Sequence, residues 1–219
     1  MTVVHGIVGL PVPAAPNALA DFAGGRIVTV STLGPAGTSA DCVARALRDA
    51  LGGWIEVELS LRDDISAVRN EVLEGRAELA LIPSAHREAT DFHWHPELRL
   101  RGAFVHSTPP YGIATRRGFE PDSGVVLASM PEVRHLFDQL APEHLLGAVA
   151  EEKVTASTSS AAAMVGTGEA DMAVCNDEAR RQQDLTWFRV RNGVPIVWML
   201  FGNDDDGECG SARIDREER

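Results

Sequence analysis

Two periods alternate along this chain. Residues 26–33, RIVTVSTL, form a β-branched run that predicts a strand. Ala40, Val43, Ala44, Leu47 and Leu51 then recur at helical spacing. Thr38 or Ser39 would cap that helix, Asp41 suits its first turn, and Gly52 and Gly53 would stop it. WIEVEL (54–59) alternates as a strand. RDDISAVRNEVLEG (62–75) predicts a helix capped by Asp63 or Asp64 and ended by Gly75. AELALIP (77–83) is continuously apolar and reads as a buried strand. This β-α-β-α-β order predicts a parallel sheet with helices on its faces. Ligands of such sheets bind beyond the carboxyl ends of the strands. Residues 34–39 and 83–87 lie at such ends.

The pattern then restarts. LRGAFVHSTPPYGIAT (100–115) reads as extended chain broken by a Pro-Pro turn, and GVVLAS (124–129) as a strand. PEVRHLFDQL (131–140) predicts a helix with Pro131 at its first position. Residues 152–183 hold a strand end, a Ser/Thr-rich turn, a helix to about Val165, the buried strand DMAVC and a further helical stretch. LTWFRV (185–190) and VPIVWMLFG (194–202) close the pattern as strands. The expectation is an α/β protein of two similar lobes, residues 26–105 with 180–203, and residues 106–179. The chain would cross between them near 104–108 and again near 179–188, and two crossings make a hinged cleft. Residues 1–25 read as a loose Pro- and Ala-rich arm, and 204–219 as a disordered charged tail.

Composition narrows the function. With 44% hydrophobic residues in 219, the chain can bury a core. A net charge of −12 argues against nucleic-acid binding, which needs basic stripes, but leaves room for a locally positive pocket. Cys42, Cys175 and Cys209 show no CxxC or zinc spacing, so free thiols in a reducing cytoplasm are expected. The first residues lack a basic n-region and are interrupted by Pro11, Pro13 and Pro16, unlike a secretion signal. No apolar run approaches the roughly 18 residues of a membrane span. The expected protein is cytoplasmic, with a homodimer left open.

TLGPAGTSAD (32–41) is the first chemical candidate. Gly34 and Gly37 permit close backbone approach, Thr38 and Ser39 bring hydroxyls, and a helix N-terminus favours an anion. The same residues also suit a plain strand-to-helix turn. His93 and His95 in FHWH have no third ligand nearby, so a surface loop is expected there and not a metal site. Trp187 and Trp198 read as core.

Three stretches carry a family resemblance. LGPAGTSAD (33–41) looks like the Gly-Pro-x-Gly-Thr-Phe/Asn-Ser loop of the prephenate dehydratase catalytic domain. AELALIP (77–83) is placed like the strand leading to that family's Pro-Ile-Glu-Asn segment. TASTSSAAAMVGTGEADMAVCNDEAR (155–180) is similar to its Thr-Ser-Thr-x-x-Ala helix and the strand after it. The chain resembles this domain from about residue 26 to 202, and more closely the prephenate decarboxylases of secondary metabolism, the bacilysin/anticapsin type. The resemblance implies a two-lobed fold of the type II periplasmic-binding-protein kind. Two departures stand out. NGVPIVWMLF (192–201) occupies the place of the dehydratase Asn-x-Thr-Arg-Phe, without its Thr or Arg. IPSAHR (82–87) puts Ala85 and His86 near the Glu-Asn positions.

The resemblance therefore implies a protein that binds prephenate, a small dicarboxylate, and decarboxylates it without aromatising the ring. Its product would be a dihydro-4-hydroxyphenylpyruvate serving the biosynthesis of an antibiotic or non-proteinogenic amino acid. The diene accepts the electrons, so no cofactor is implied. Gly34, Gly37, Thr38 and Ser39 would hold one carboxylate, and Ser157, Thr158 and Ser159 the other, with Ser84, Arg87 and Thr108 completing the site. His86, His106 and Tyr111, the lone tyrosine, are the candidate proton donors. Plainer readings stand beside these: STSS as an ordinary cap, His86 as a loop histidine, TPPYG (108–112) as a turn, and Arg87, Arg116 and Arg117 as solvated cations. Prephenate dehydration, or binding of a small carboxylate without catalysis, are the alternative functions.

Overall fold

The computed structural model describes residues 27–52, 55–121 and 123–203; the expected arm and tail, Gly53 and Cys209 lie outside them. Chain order begins β1 (Ile27–Leu33), α1 (Ser39–Leu51), β2 (Glu56–Arg62), α2 (Ile65–Leu73), β3 (Leu79–Pro83), α3 (Ala89–Trp94) and β4 (Leu98–Ser107). It continues β5 (Tyr111–Thr115), β6 (Val125–Ser129), α4 (Pro131–Leu140), α5 (Glu143–Leu146), β7 (Val149–Val154) and α6 (Thr158–Thr167). It ends β8 (Met172–Asn176), α7 (Asp177–Gln182), β9 (Thr186–Arg191) and β10 (Pro195–Asn203).

These strands form two five-stranded sheets of one plan, ordered β2-β1-β3-β10-β4 and β7-β6-β8-β5-β9. In the first, β1 runs parallel to β2 and β3, and β10 returns antiparallel between β3 and β4. In the second, β6 runs parallel to β7 and β8, and β5 lies antiparallel between β8 and β9. Helices cover both faces of each sheet. Ala40, Val43, Ala44 and Leu47 of α1 pack with Val28, Val30 and Trp198, while α2 and α3 bury Val68, Val72 and Phe92 with Ile82 and Phe201 on the other face. In the second sheet Ala161, Val165 and Ala179 lie on one face, and Leu136, Phe137 and Leu145 on the other. Each buried Val, Leu or Phe contributes roughly 1.5–3 kcal/mol, so each sheet holds its own core and leaves a cleft between them.

The chain passes between the sheets at 108–110 and at 192–194. The second passage differs from the one expected near 179–188. β9 pairs with β5, Tyr111 opposite Arg191, so the chain stays in the second sheet through residue 191. The polar helical stretch before it does not span the gap, because Ala179 of α7 and Leu185 share a core with Cys175. The two passages are pressed together: Thr108 N donates to Val194 O at 2.9 Å, and a Cβ on Gly193 would overlap the Thr108 carbonyl oxygen.

FHWH also differs from its expected loop. It forms the last turn of α3 and the residue after it, because Phe92 is buried with its ring 5.3 Å from Phe201 and His93 meets the same ring edge-on at 5.0 Å.

Candidate active site

Four strand ends deliver four helix N-termini to one cleft of about 430 Å³, a volume typical of small-molecule sites. The tips of α1 and α2 come from the first sheet, those of α4 and α6 from the second, and the two passages form the inner wall. The tips differ in charge. Asp64 caps α2, accepting Ala67 N–H at 2.7 Å, and the Ser66 hydroxyl and Ala67 amide hold its carboxyl below the usual range. Glu132 sits in the first turn of α4. The first turn of α6 carries no acid, and Asp41 of α1 turns away to accept Gly37 N–H at 2.7 Å and to pair with Arg45 at 2.7 Å. The tips of α6, which has no acid, and of α1, whose Asp41 is neutralised by Arg45, are therefore the pair whose dipoles best favour an anion.

Hydrogen bonds separate spent hydroxyls from available ones. Thr38 Oγ1 donates to Leu33 O at 2.9 Å and accepts from Asp41 N at 3.2 Å. Ser157 Oγ accepts from Ser160 N at 3.0 Å and meets Ser160 Oγ at 2.9 Å. Both are working caps. Ser39 and Thr158, the next residues, face the cleft and belong to a cluster with Tyr111 and Asn176. Ser39 Oγ lies 2.6 Å from Tyr111 OH. Asn176, fully buried, donates from Nδ2 to Gly37 O at 2.9 Å and accepts Ala179 N–H on Oδ1 at 2.8 Å. Burial pushes the Tyr111 hydroxyl above its ordinary value, against a smaller pull from Ser39 and Thr158, so it remains a neutral phenol near pH 7.

The other expected site residues divide. Gly34, His86, Arg87 and Thr108 line the cleft. His86 Nδ1 accepts the Glu88 amide N–H at 3.2 Å, which leaves the proton of the neutral ring on Nε2. Arg87 Nε lies 3.2 Å from Glu132, an ion pair that reaches from the first lobe to the second. Gly37, Ser84, Ser159 and His106 are not among the lining residues. Gly37, at φ 90°, backs onto α7, where a Cβ would lie 2.5 Å from Gln182 Nε2. Ser84 is exposed, its amide donating to Val197 O at 2.9 Å. Ser159 Oγ is buried without a hydrogen-bond partner. His106 is exposed on β4, the outer strand, one strand farther from the cleft than its neighbour Ile196 on β10.

Several lining residues lay outside the sequence expectations. His135 and Leu136 come from α4, behind the legible Pro131. Arg191, Asn192, Val194 and Ile196 come from the second passage, and Trp198 both fills the core and closes the wall. The pattern Asn176-x-x-Ala179 after a buried strand is a helix-cap signal, but nothing local reveals the bond from Asn176 to Gly37. The described thiols offer no nucleophile: burial pushes Cys175 up to about 12 and also raises Cys42. Among the described residues no group of three His, Cys, Asp or Glu side chains could hold a metal, and no helix is long and apolar enough to cross a membrane.

No family model matches the chain. A prephenate decarboxylase of Bacillus subtilis (strain 168) is 31% identical over 186 residues, 82% of this chain and 89% of that protein. The chain belongs to the prephenate decarboxylase family. That family is named for a carboxy-lyase. Solved structures agree on the fold. Prephenate dehydratase from Arthrobacter aurescens, in complex with L-Phe, aligns with a TM-score of 0.59 at 18% identity, over 80% of this chain and 60% of that one. Lipoprotein Tp32 from Treponema pallidum aligns at 0.53 and 14% identity, over 81% and 84%. This prephenate decarboxylase family member thus has the two-lobed, periplasmic-binding-protein-like fold, with its cleft at the carboxyl ends of the parallel strands.

Proposed function

We propose that the protein removes the ring carboxylate of prephenate as carbon dioxide and leaves the ring hydroxyl in place. Family membership supports the substrate. The observation that carries the non-aromatising outcome is the inner wall. Asn192, Val194, Ile196 and Trp198 line the cleft in the stretch where the dehydratase pattern has Asn-x-Thr-Arg-Phe, so this wall presents apolar side chains where that pattern has a hydroxyl acid.

The chemistry follows from charge and solvation. Prephenate carries two carboxylates, and the tip of α6, which has no acid, and that of α1, whose Asp41 is paired with Arg45, supply donors for them together with Ser39 and Thr158. The bond from the ring carbon to its carboxylate breaks, and its electron pair shifts through the diene. A ring carbon at the far end of that shift takes one proton. Dianion and proton give carbon dioxide and a monoanion that still bears its hydroxyl. An apolar wall favours loss of charge at the leaving carboxylate, since a poorly solvated carboxylate gives up less on departing. His86, which lines the cleft, gives the proton as an imidazolium and is left as the neutral ring whose Nδ1 accepts the Glu88 amide, and Tyr111, a neutral phenol, holds Ser39 in place. The product fits a biosynthetic route to a non-proteinogenic amino acid or antibiotic.

Incubation of the purified protein with prephenate should release one equivalent of carbon dioxide and give a dihydro-4-hydroxyphenylpyruvate. Formation of phenylpyruvate would establish dehydration instead, and tight binding without turnover would establish a binding module.

A further inference from the structure

One buried amide touches both carboxylate cradles. Asn176 ends β8 in the second lobe, directly opposite Tyr111 in the β5–β8 pairing. Its orientation is fixed by partners of unambiguous role. Oδ1 accepts a backbone N–H from Ala179, so Nδ2 is the donor, and one of its hydrogens goes to Gly37 O in the first lobe. The remaining hydrogen faces Ser39 Oγ and Thr158 Oγ1, each 3.5 Å from the nitrogen, at the long end of hydrogen bonding. Ser39 opens the α1 tip and Thr158 the α6 tip.

The donor count then gives the cluster a direction. Nδ2 can only donate, so Ser39 and Thr158 meet it as acceptors and keep their own O–H groups to give. Ser39 shares one bond with Tyr111, where either oxygen can donate. The cluster holds three hydroxyl hydrogens, and in either arrangement at least one is left over for a ligand in the cleft. A carboxylate, an acceptor only, is the matching group. The same amide also ties Gly37 of the α1 loop to α7, next to the close packing of Gly37 on Gln182, and so holds the two tips at one separation.

Resting on the reading of the cleft as a prephenate site, we propose that Asn176 is a positioning residue that sets the spacing of the two cradles and turns the Ser39 and Thr158 hydroxyls toward the carboxylates of the substrate. It acts through those groups and does not itself touch the reacting atoms.

Asn176→Asp isolates the donor. An aspartate keeps the helix cap on Ala179 N, since Asp caps as well as Asn, but replaces the N–H by a second acceptor oxygen. Prephenate affinity, by calorimetry, and KM should weaken ~10–100-fold at pH 8, because a buried donor is lost and a like charge added. Burial raises the pKa of such a carboxyl, so the loss should shrink as pH falls toward about 6, where protonation restores an O–H donor. The wild-type protein should show no matching recovery. Asn176→Ser keeps a capping oxygen but is too short to reach Gly37, so its loss should be the same at each pH; it carries the test if the aspartate variant does not fold. Wild-type affinity in Asn176→Asp, or an equal deficit in both variants at every pH, would overturn the proposal. A wild-type protein that binds prephenate without decarboxylating it removes the catalytic reading alone, since affinity still scores Asn176. Failure of the wild type to bind prephenate overturns both.

Discussion

At the scale of single residues, the cleft is a matter of which polar atoms are already engaged. Thr38 and Ser157 line the cleft as expected, yet the hydroxyl of each caps its own helix, and the residue after each joins the Tyr111–Asn176 cluster. That offset of one position is not legible from composition, because Ser and Thr serve equally as caps and as ligand donors. His86 is different. Its position at a strand end was legible, and its Glu88 contact, which fixes the tautomer, was not. Replacing His86 with Gln removes the proposed proton donor but keeps a side chain of similar reach. A kcat loss of ~100-fold or more with KM changed little is expected, the scale of general acid catalysis. A kcat within a factor of about two of wild type would transfer the donor role to another group.

At the scale of elements, the first β-α-β-α-β run was readable almost residue by residue, since periodicity, caps and stops agree there. Asp64 caps α2 with its carboxylate, as one of the two aspartates was expected to. The short helices were less readable. α5 has four residues, α3 six, and both depend on tertiary burial of Leu145 and Phe92 that no short-range pattern announces. The α2 element also carries an ionic anchor. Glu71, buried, receives Arg62 from the end of β2 at 2.6 Å and Arg76 at 2.7 Å. Hydrogen bonds from Arg62 and then Arg76 hold its carboxyl well down, to about 2. A carboxyl depressed by folding stabilises fully above its unfolded pKa of about 4.3, and the contribution fades as pH falls from there through 2. Glu71→Gln should therefore lower the melting temperature near pH 7 and matter progressively less below about pH 4. A deficit that stays constant down to pH 2 would show that packing, and not charge, makes the contribution.

At the scale of the whole molecule, two sheets of the same order face each other, joined by two adjacent passages at the inner end and by Arg87–Glu132 across the cleft. The two-lobed plan was legible from the restart of the α/β pattern; the second passage was not, because the Asn-Gly at 192–193 is a stronger break than the helical stretch that obscured it. The lobe-to-lobe ion pair is partly exposed on its arginine side. On the proposed function a substrate carboxylate competes with Glu132 for Arg87. Glu132→Gln should then lower KM for prephenate by about 2–5-fold, the scale of an exposed pair, and an increase in KM would show that the pair serves to hold the lobes together.

On the proposed function the cleft releases carbon dioxide while the ring hydroxyl survives. Proton NMR of the reaction run in deuterium oxide tests it most directly. The enzymatic product should carry one deuterium on a ring carbon and a retained carbinol proton, with no aromatic signals. Aromatic phenylpyruvate signals, growing in proportion to enzyme, would contradict it.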